Sequence, residues 1–196
     1  DKEIGWVQEK IGMELAAGQR DAVRLAARSG AMVITGGPGV GKTTVINSIV
    51  NIFRAKKLRV VLAAPTGRAA KRMAEVTGMP AGTIHRLLEF DPKIGGFRRD
   101  ARTPLDGDIF IIDEVSMLDV TLAWRLIRAV PRDAAVVLVG DVDQLPSVGP
   151  GCVLRDIIAS ETVPVCRLTE VFRQAARSSI ITNAHAVNSG RMPDYP

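Results

Sequence analysis

Ala31-Met32-Val33-Ile34-Thr35-Gly36-Gly37-Pro38-Gly39-Val40-Gly41-Lys42-Thr43-Thr44 joins an apolar run to a glycine-rich turn and then to Lys-Thr at the start of a helical pattern. Positions 36 to 43 meet the spacing G-x-x-x-x-G-K-[ST] of a phosphate-binding loop. Gly36, Gly39 and Gly41 accept backbone angles closed to other residues, so successive amide N–H groups can turn inward around a phosphate. The helix that follows is read over residues 42–55 from Val45, Ile46, Ile49, Val50 and Phe53, and it aims the positive end of its dipole at the same anion. The candidate nucleotide cradle is therefore Gly37, Pro38, Gly39, Val40, Gly41, Lys42, Thr43 and Thr44. Lys42 is placed to reach the β- and γ-phosphates, and the Thr43 hydroxyl to complete the shell of a Mg²⁺ ion.

Working outward, a chain of 196 residues is long enough for one well-buried α/β domain. With 46% apolar and 24% charged residues it reads as a globule and not a disordered chain. A net charge of +5 permits a polyanionic partner and equally serves solubility. Cys152 and Cys166 form no C-x-x-C and no Cys/His cluster, so neither a disulfide framework nor a zinc site is suggested; reduced thiols in a cytosol are expected. No apolar run approaches the length of a membrane span, and no membrane partner is expected. The chain starts on Asp1 without Met and stops on Met192-Pro193-Asp194-Tyr195-Pro196, which reads as a piece of something longer.

Upstream of the loop, residues 19–28 carry a helical apolar face (Ala22, Val23, Leu25, Ala26, Ala27) stopped by Ser29-Gly30. Gln19 opens it with an amide able to pair with an adenine edge; from the residues alone it is a surface side chain. Downstream, residues 58–64 read as a buried strand, and residues 66–76 as a helix ending at Thr77-Gly78. Between them the turn Ala64-Pro65-Thr66-Gly67-Arg68 is either a further phosphate contact or a helix N-cap. Residues 83–88 form a brief helix holding His85, read from the residues as a packed or surface histidine before a functional one. Asp91-Pro92, Gly95-Gly96 and Thr103-Pro104 punctuate residues 90–108, so this stretch is expected to be a small basic hairpin carrying Lys93, Phe97, Arg98, Arg99 and Arg102, inserted into the core and not belonging to it.

The core resumes with the strand Ile109-Phe110-Ile111-Ile112, which runs into Asp113-Glu114. Asp119 caps a helix bearing Leu122, Leu126, Ile127 and Val130. A strand over 134–139 ends in Gly140-Asp141, another lies near 165–168, and a closing helix starts at Ser178 or Ser179 and stops near Gly190. Strands alternating with helices predict a parallel sheet covered on both faces. The loop, Pro65-Thr66, Asp113-Glu114, Gly140-Asp141 and Gln144 all follow strands, so they converge on the carboxyl edge where such sheets bind ligands. Asp113 is placed to hold Mg²⁺ through water, Glu114 to polarise an attacking water, Gln144 to sense the γ-phosphate and Arg173 to stabilise the transferring phosphoryl group. No Asn-Lys-x-Asp guanine reader is present, which argues against a GTPase.

Six stretches in order resemble the motifs of superfamily 1 helicases: residues 36–44, 64–70, 83–85, 113–117, 140–146 and 168–174. They are most similar to the RecD-type branch, which includes the α subunit of exodeoxyribonuclease V. The resemblance implies a RecA-like P-loop ATPase fold with a small β-hairpin insertion at 91–108, and an ATP-dependent DNA motor moving 5′ to 3′ in recombination or repair. It makes Gln19 the adenine contact, Lys42, Glu114, Gln144 and Arg173 the catalytic set, and Thr43 and Asp113 the Mg²⁺ residues. Pro65, Thr66, Thr83, His85, Phe97, Arg98 and Arg99 would meet DNA. Such motors need a second RecA-like domain, so residues 1–196 are expected to be the first motor domain only, partnered by that second domain, by single-stranded and duplex DNA and by other exonuclease V subunits. The rival expectation is a nucleotide-gated DNA-binding or assembly ATPase that does not unwind.

Overall fold

The computed structural model describes residues 2–171 and 179–193. Its strands are β1 (Ala31–Thr35), β2 (Val60–Ala64), β3 (Ala81–Thr83), β4 (Phe90–Asp91), β5 (Gly96–Phe97), β6 (Ile109–Ile112), β7 (Ala135–Gly140) and β8 (Val165–Arg167). Its helices are α1 (Lys2–Ile11), α2 (Ala17–Ala26), α3 (Lys42–Ala55), α4 (Gly67–Thr77), α5 (Ile84–Leu87), α6 (Val120–Ala129), α7 (Val153–Ala159) and α8 (Ser179–Asn188), with a 3₁₀ turn at Val115–Met117.

Six strands form one parallel sheet in the order β3-β2-β6-β7-β1-β8, with Ile34 opposite both Val139 and Cys166. Period-two alternation sends Met32, Ile34, Leu62, Ile109, Ile111, Val137 and Val139 to one face, where they meet Val7, Ala22, Val45, Ile49 and Met73 of α1 to α4. Val33, Ala63, Phe110, Ile112, Val136 and Leu138 go to the other, against Ile84, Leu122, Leu126, Ala129 and Leu154 of α5 to α7. The sheet is thus covered on both faces, as the apolar runs require. From β1 the chain crosses leftward to β2, and from β7 it crosses the other way to β8, so the strand order reverses between the adjacent β1 and β7. A crevice opens at their carboxyl ends for that reason.

Several boundaries differ from the sequence reading. β2 begins at Val60, since Leu58 is exposed beside the turn at Lys57, and Ile127 on α6 points outward, leaving Leu122, Leu126 and Ala129 to face the sheet. The elements α1, β3 and α7 are additions to that reading. Asp119 does cap α6, its Oδ1 accepting from the Leu122 amide at 2.8 Å.

The insertion also differs in character. Its hairpin is short: Phe90 stands opposite Phe97 and Asp91 opposite Gly96, with Gly95 at φ +60° in the tip. The return limb, expected to stand apart from the core, belongs to it: Leu105 is buried and its amide donates to the Ala129 carbonyl at 2.7 Å. Two of its cations are neutralised at home, Arg98 by Asp91 and Arg99 by Glu89, both at 2.6 Å.

Candidate functional site

The loop after β1 is built from glycines used for two different physical reasons. Gly39 and Gly41 both sit at φ +79°, the left-handed region that glycine alone enters without strain, and Gly41 is the N-cap of α3. Gly36 does not share that conformation, contrary to the sequence expectation. A Cβ there would lie 2.5 Å from the Leu168 carbonyl oxygen and 2.8 Å from Val40 Cγ2, so Gly36 is needed for close approach of the strand-end after β8. The Lys42 ammonium leaves the first turn of α3 and donates back to the carbonyls of Gly36 and Gly37, the latter at 3.0 Å.

Three carboxylates act on that ammonium electrostatically. Burial pushes the Lys42 pKa down, against the opposing pull of Asp141, Glu114 and Asp113 in that order. Asp113, at the end of β6, is pushed up by burial, although its Oδ1 accepts from the Glu114 amide at 2.8 Å. Glu114 itself sits at φ +54°, a conformation a non-glycine residue adopts only when its surroundings impose it, and its buried Oε2 finds no partner in the described protein. A buried carboxylate oxygen without a donor is the kind of orphan that clusters at sites of chemistry. The Ser116 hydroxyl in the next turn is a second such orphan.

Asp141, following β7, is 2% exposed and accepts from the Asp143 amide at 3.1 Å and from Gln144 Nε2 at 3.3 Å. Gln144 is exposed and so tied to the residue that faces Lys42. The sequence reading placed Asp141 at the edge without giving it a role; the signal was there, since an acid directly after a buried apolar strand is the pattern that marked Asp113. Thr35 closes the same corner, its Oγ1 accepting from the Val142 amide at 3.4 Å. The resulting cleft, about 840 Å³, runs between the loop after β1 and the loop after β7 and is roofed by α8, whose Asn188 donates to Asp143 at 2.9 Å.

Gln19 is buried at 1% exposure, which corrects its reading as a surface side chain. Its Oε1 accepts from the Ala16 amide at 3.1 Å and its Nε2 donates to the Gly41 carbonyl at 3.4 Å, so it ties the start of α2 to the phosphate loop. A recess of about 100 Å³ beside it is lined by Gly18, Val40, Arg167 and Leu168.

The residues expected at DNA occupy the β2 and β3 side of the same edge. Thr66 and Thr83 are both N-caps, accepting from the Ala69 and Arg86 amides at 3.2 Å each. The His85 ring stands against Phe97 and Phe90 at centroid distances of 5.6 and 6.0 Å at the root of the hairpin, and the residue is exposed. Arg98 and Arg99 already hold carboxylates. Arg173 lies outside the described residues.

Hard oxygen donors are what Mg²⁺ takes, with one or two carboxylates and otherwise waters and phosphate oxygens. Thr43 and Asp113 carry oxygen donors of that kind, and among the described residues no cluster of three or more His, Cys, Asp or Glu side chains offers an all-protein cage. Among the described residues no helix is long and apolar enough to cross a membrane.

A family model described as an AAA domain matches residues 19–150, and the chain belongs to that family. It is 44% identical to the ATP-dependent RecD2 DNA helicase of Deinococcus radiodurans over 84% of this chain and 22% of that protein. It is 36% identical to the RecBCD enzyme subunit RecD of Mycobacterium tuberculosis over 88% of this chain and 34% of that protein. The chain thus spans 22% and 34% of the length of these curated relatives. Among solved structures, the Pif1 helicase of Candida albicans superposes with a TM-score of 0.65 at 24% identity, over 93% of this chain and 45% of that one. The Pif1 of a Bacteroides species, solved in complex with ADP-AlF4, gives 0.53 at 21% identity, over 88% and 47%. These likenesses show the RecA-like P-loop fold.

Proposed function

We propose that this member of the AAA-domain family is the first motor domain of a RecD-type, ATP-dependent DNA helicase, acting on single-stranded and duplex DNA in recombination or repair in a bacterial cytoplasm. The observation that carries the reading is the loop at the reversal point of the sheet, where Gly39 and Gly41 take positive φ and Lys42 turns its ammonium back onto the Gly36 and Gly37 carbonyls, within electrostatic reach of Asp141, Glu114 and Asp113. Relatives named as DNA helicases support it. The second RecA-like domain belongs to the rest of the full-length protein, other exonuclease V subunits are further partners, and movement 5′ to 3′ follows the family.

In this reading the amides of positions 37 to 44 and the α3 dipole bind the phosphates of ATP. Lys42 exchanges its loop carbonyls for β- and γ-phosphate oxygens, and the partly desolvated site strengthens that interaction. Thr43 and Asp113 hold Mg²⁺, which when bound supplies charge neutralisation at the phosphates. Glu114 accepts a proton from the attacking water; its orphaned oxygen is available to do so without first giving up a protein donor. Gln144, tethered to Asp141, reports the γ-phosphate to the loop that follows, and Arg173 and Gln19 contact the γ-phosphate and the adenine.

Glu114→Gln is the discriminating variant. It is expected to bind Mg-ATP with unchanged affinity and to lose about 10² to 10⁴ of turnover, because the amide keeps the shape and cannot accept the proton. Loss of nucleotide binding would make the carboxylate structural and sink the assignment. Residues 1–196 alone are expected to hydrolyse ATP slowly with little stimulation by oligonucleotide, since ATP and DNA are both gripped between two motor domains whose closure drives stepping. Rapid, strongly DNA-stimulated turnover by the isolated monomer would overturn the two-domain reading.

A further inference from the structure

Helix α6 buries Leu122, Leu126 and Ala129 and turns its other face to solvent. On that face Val120, Trp124 and Ile127 are 48%, 50% and 51% exposed. At spacings of four and three they line up along about 10 Å of helix. The outward side of a surface helix is ordinarily charged or polar, so a stripe of large apolar side chains there calls for a partner.

Cations border the stripe. The Arg125 and Arg128 guanidinium carbons lie 4.9 and 5.0 Å from the centre of the Trp124 ring, and Arg132 stands exposed beyond the helix end. The helix V-T-L-A-W-R-L-I-R-A contains no acid; Asp133 follows Arg132 in the chain without forming an ion pair with it, and none of the three arginines has a carboxylate partner among the described residues. This is the reverse of the insertion, where Arg98 and Arg99 are neutralised in place. An open groove of about 730 Å³ runs from Trp124 and Arg128 to Pro104 on the return limb of the insertion. None of these residues lines the nucleotide cleft.

We propose that this face is the docking site for an acidic, amphipathic peptide segment of a protein partner. Its carboxylates pair with Arg125, Arg128 and Arg132, and its aliphatic or aromatic side chains cover Val120, Trp124 and Ile127. Tryptophan and arginine are the residue types that dominate interface energetics when a partner desolvates them together. Nucleic acid would answer chiefly the arginines: its apolar groups, thymine methyls and sugar edges, are too sparse to cover Val120 and Ile127 together, and Arg125 and Arg128 already stand over the ring on which a base would stack.

The chain reports on this surface directly. It has two tryptophans, so Trp6→Phe leaves Trp124 as the sole indole emitter. Three probes are titrated into that variant: a peptide of about three helical turns with Glu on one face and Leu and Phe on the other, the same peptide with Lys for Glu, and an oligothymidine. The acidic peptide is expected to shift Trp124 emission saturably. Arg125→Glu with Arg128→Glu should weaken it by about tenfold or more. Ile127→Ser should weaken it without changing the circular dichroism spectrum, because that side chain is outside the core. A response to oligothymidine in place of the acidic peptide would make the face a nucleic-acid surface and overturn the proposal. Equal responses to the acidic and basic peptides, no response to any probe, or indifference to the charge reversal would overturn it too.

Discussion

The carboxyl edge of the main sheet and the insertion that leaves it after α5 use the same chemical vocabulary, aspartate, glutamate and cations within a few residues of one another, and handle it in opposite ways. At the edge, Asp113 is pushed up and Lys42 pushed down, both chiefly by burial. In the insertion Asp91 and Asp100 are held below the usual carboxylate range, Asp91 by Arg98 and Asp100 by the Thr103 and Arg102 amides. The edge thus keeps charges that the fold does not fully satisfy, held at the ends of the buried apolar strands β6 and β7. The insertion pairs Arg98 and Arg99 locally, with Asp91 and Glu89. Unsatisfied charge marks a place prepared for a ligand, whereas satisfied charge marks a place that is finished.

The comparison is tested hardest by removing one cation from each region. Lys42→Ala is expected to lower ATP turnover by about 10² to 10³ or more, since a positioned charge aimed at developing negative charge in a water-poor site is worth several kcal/mol. Arg99→Ala, which breaks an exposed pair with Glu89, is expected to leave ATP turnover within about twofold, as exposed pairs contribute little. Steady-state ATPase on both variants measures this. Comparable losses would mean that the insertion belongs to the chemistry and that the contrast is false.

A second pair compares glycines. Gly36→Ala places a Cβ against the Leu168 backbone and Val40, so it is expected to lose about 1–3 kcal/mol and to weaken nucleotide binding. Gly95→Ala meets nothing within 4 Å and is strained only by its positive φ, so a loss of about 1 kcal/mol with nucleotide binding intact is expected. Urea midpoints and nucleotide titrations separate the two; a Gly36→Ala protein that binds nucleotide normally would show that the approach of the strand-end after β8 is not needed.

What was legible in the sequence follows the same division. Residues 42–55 and 109–112 were read with the observed bounds because each sits between strong signals: a loop motif and a periodic apolar face for the first, an unbroken apolar run ending in acids for the second. β3, with the sequence Ala-Gly-Thr, has no apolar run and exists because β2 offers it a ladder. For α7 the apolar spacing of Val153, Leu154, Ile157 and Ile158 was present but lay behind a Gly- and Pro-rich stretch that reads as loop. Gln19 misled for a different reason: its burial comes from hydrogen bonds to Ala16 and to Gly41, twenty-two positions away, and no local pattern announces a long-range polar tie. The basic reading of the insertion counted charges without their partners, and Asp91 and Glu89 were the partners.

The smallest expected effect is also the most direct reading of the contrast, because the two regions respond to acid with opposite sign. A carboxylate depressed in the fold contributes stability that is present above its unfolded value, about 3.9 for Asp, and lost as pH falls through the lower folded value. Asp91, Asp100 and Asp108, the last accepting from the Arg59 amide and guanidinium at 2.7 Å each, are of this kind, so the region around the insertion should weaken only below about pH 4. Asp113 has the opposite sign. Its folded value is raised, so its charge works against the fold at neutral pH, and stability is gained as pH falls through that raised value toward the unfolded one. In metal-free buffer with chelator, Asp113→Asn removes the desolvated charge while keeping an oxygen to accept from the Glu114 amide. It should therefore be more stable than the parent at pH 7 and converge on it as the solution is acidified. Arg98→Ala should match the parent in slope down to about pH 4 and lose less below it, because the depression of Asp91 comes first from that arginine. The measurement is the urea midpoint of the three proteins from neutral to acid pH, read as differences from the parent so that all other groups cancel. Parallel curves for Asp113→Asn and the parent would mean that burial of Asp113 places no load on the fold, and the account of the edge as a held, unsatisfied charge would fail with it.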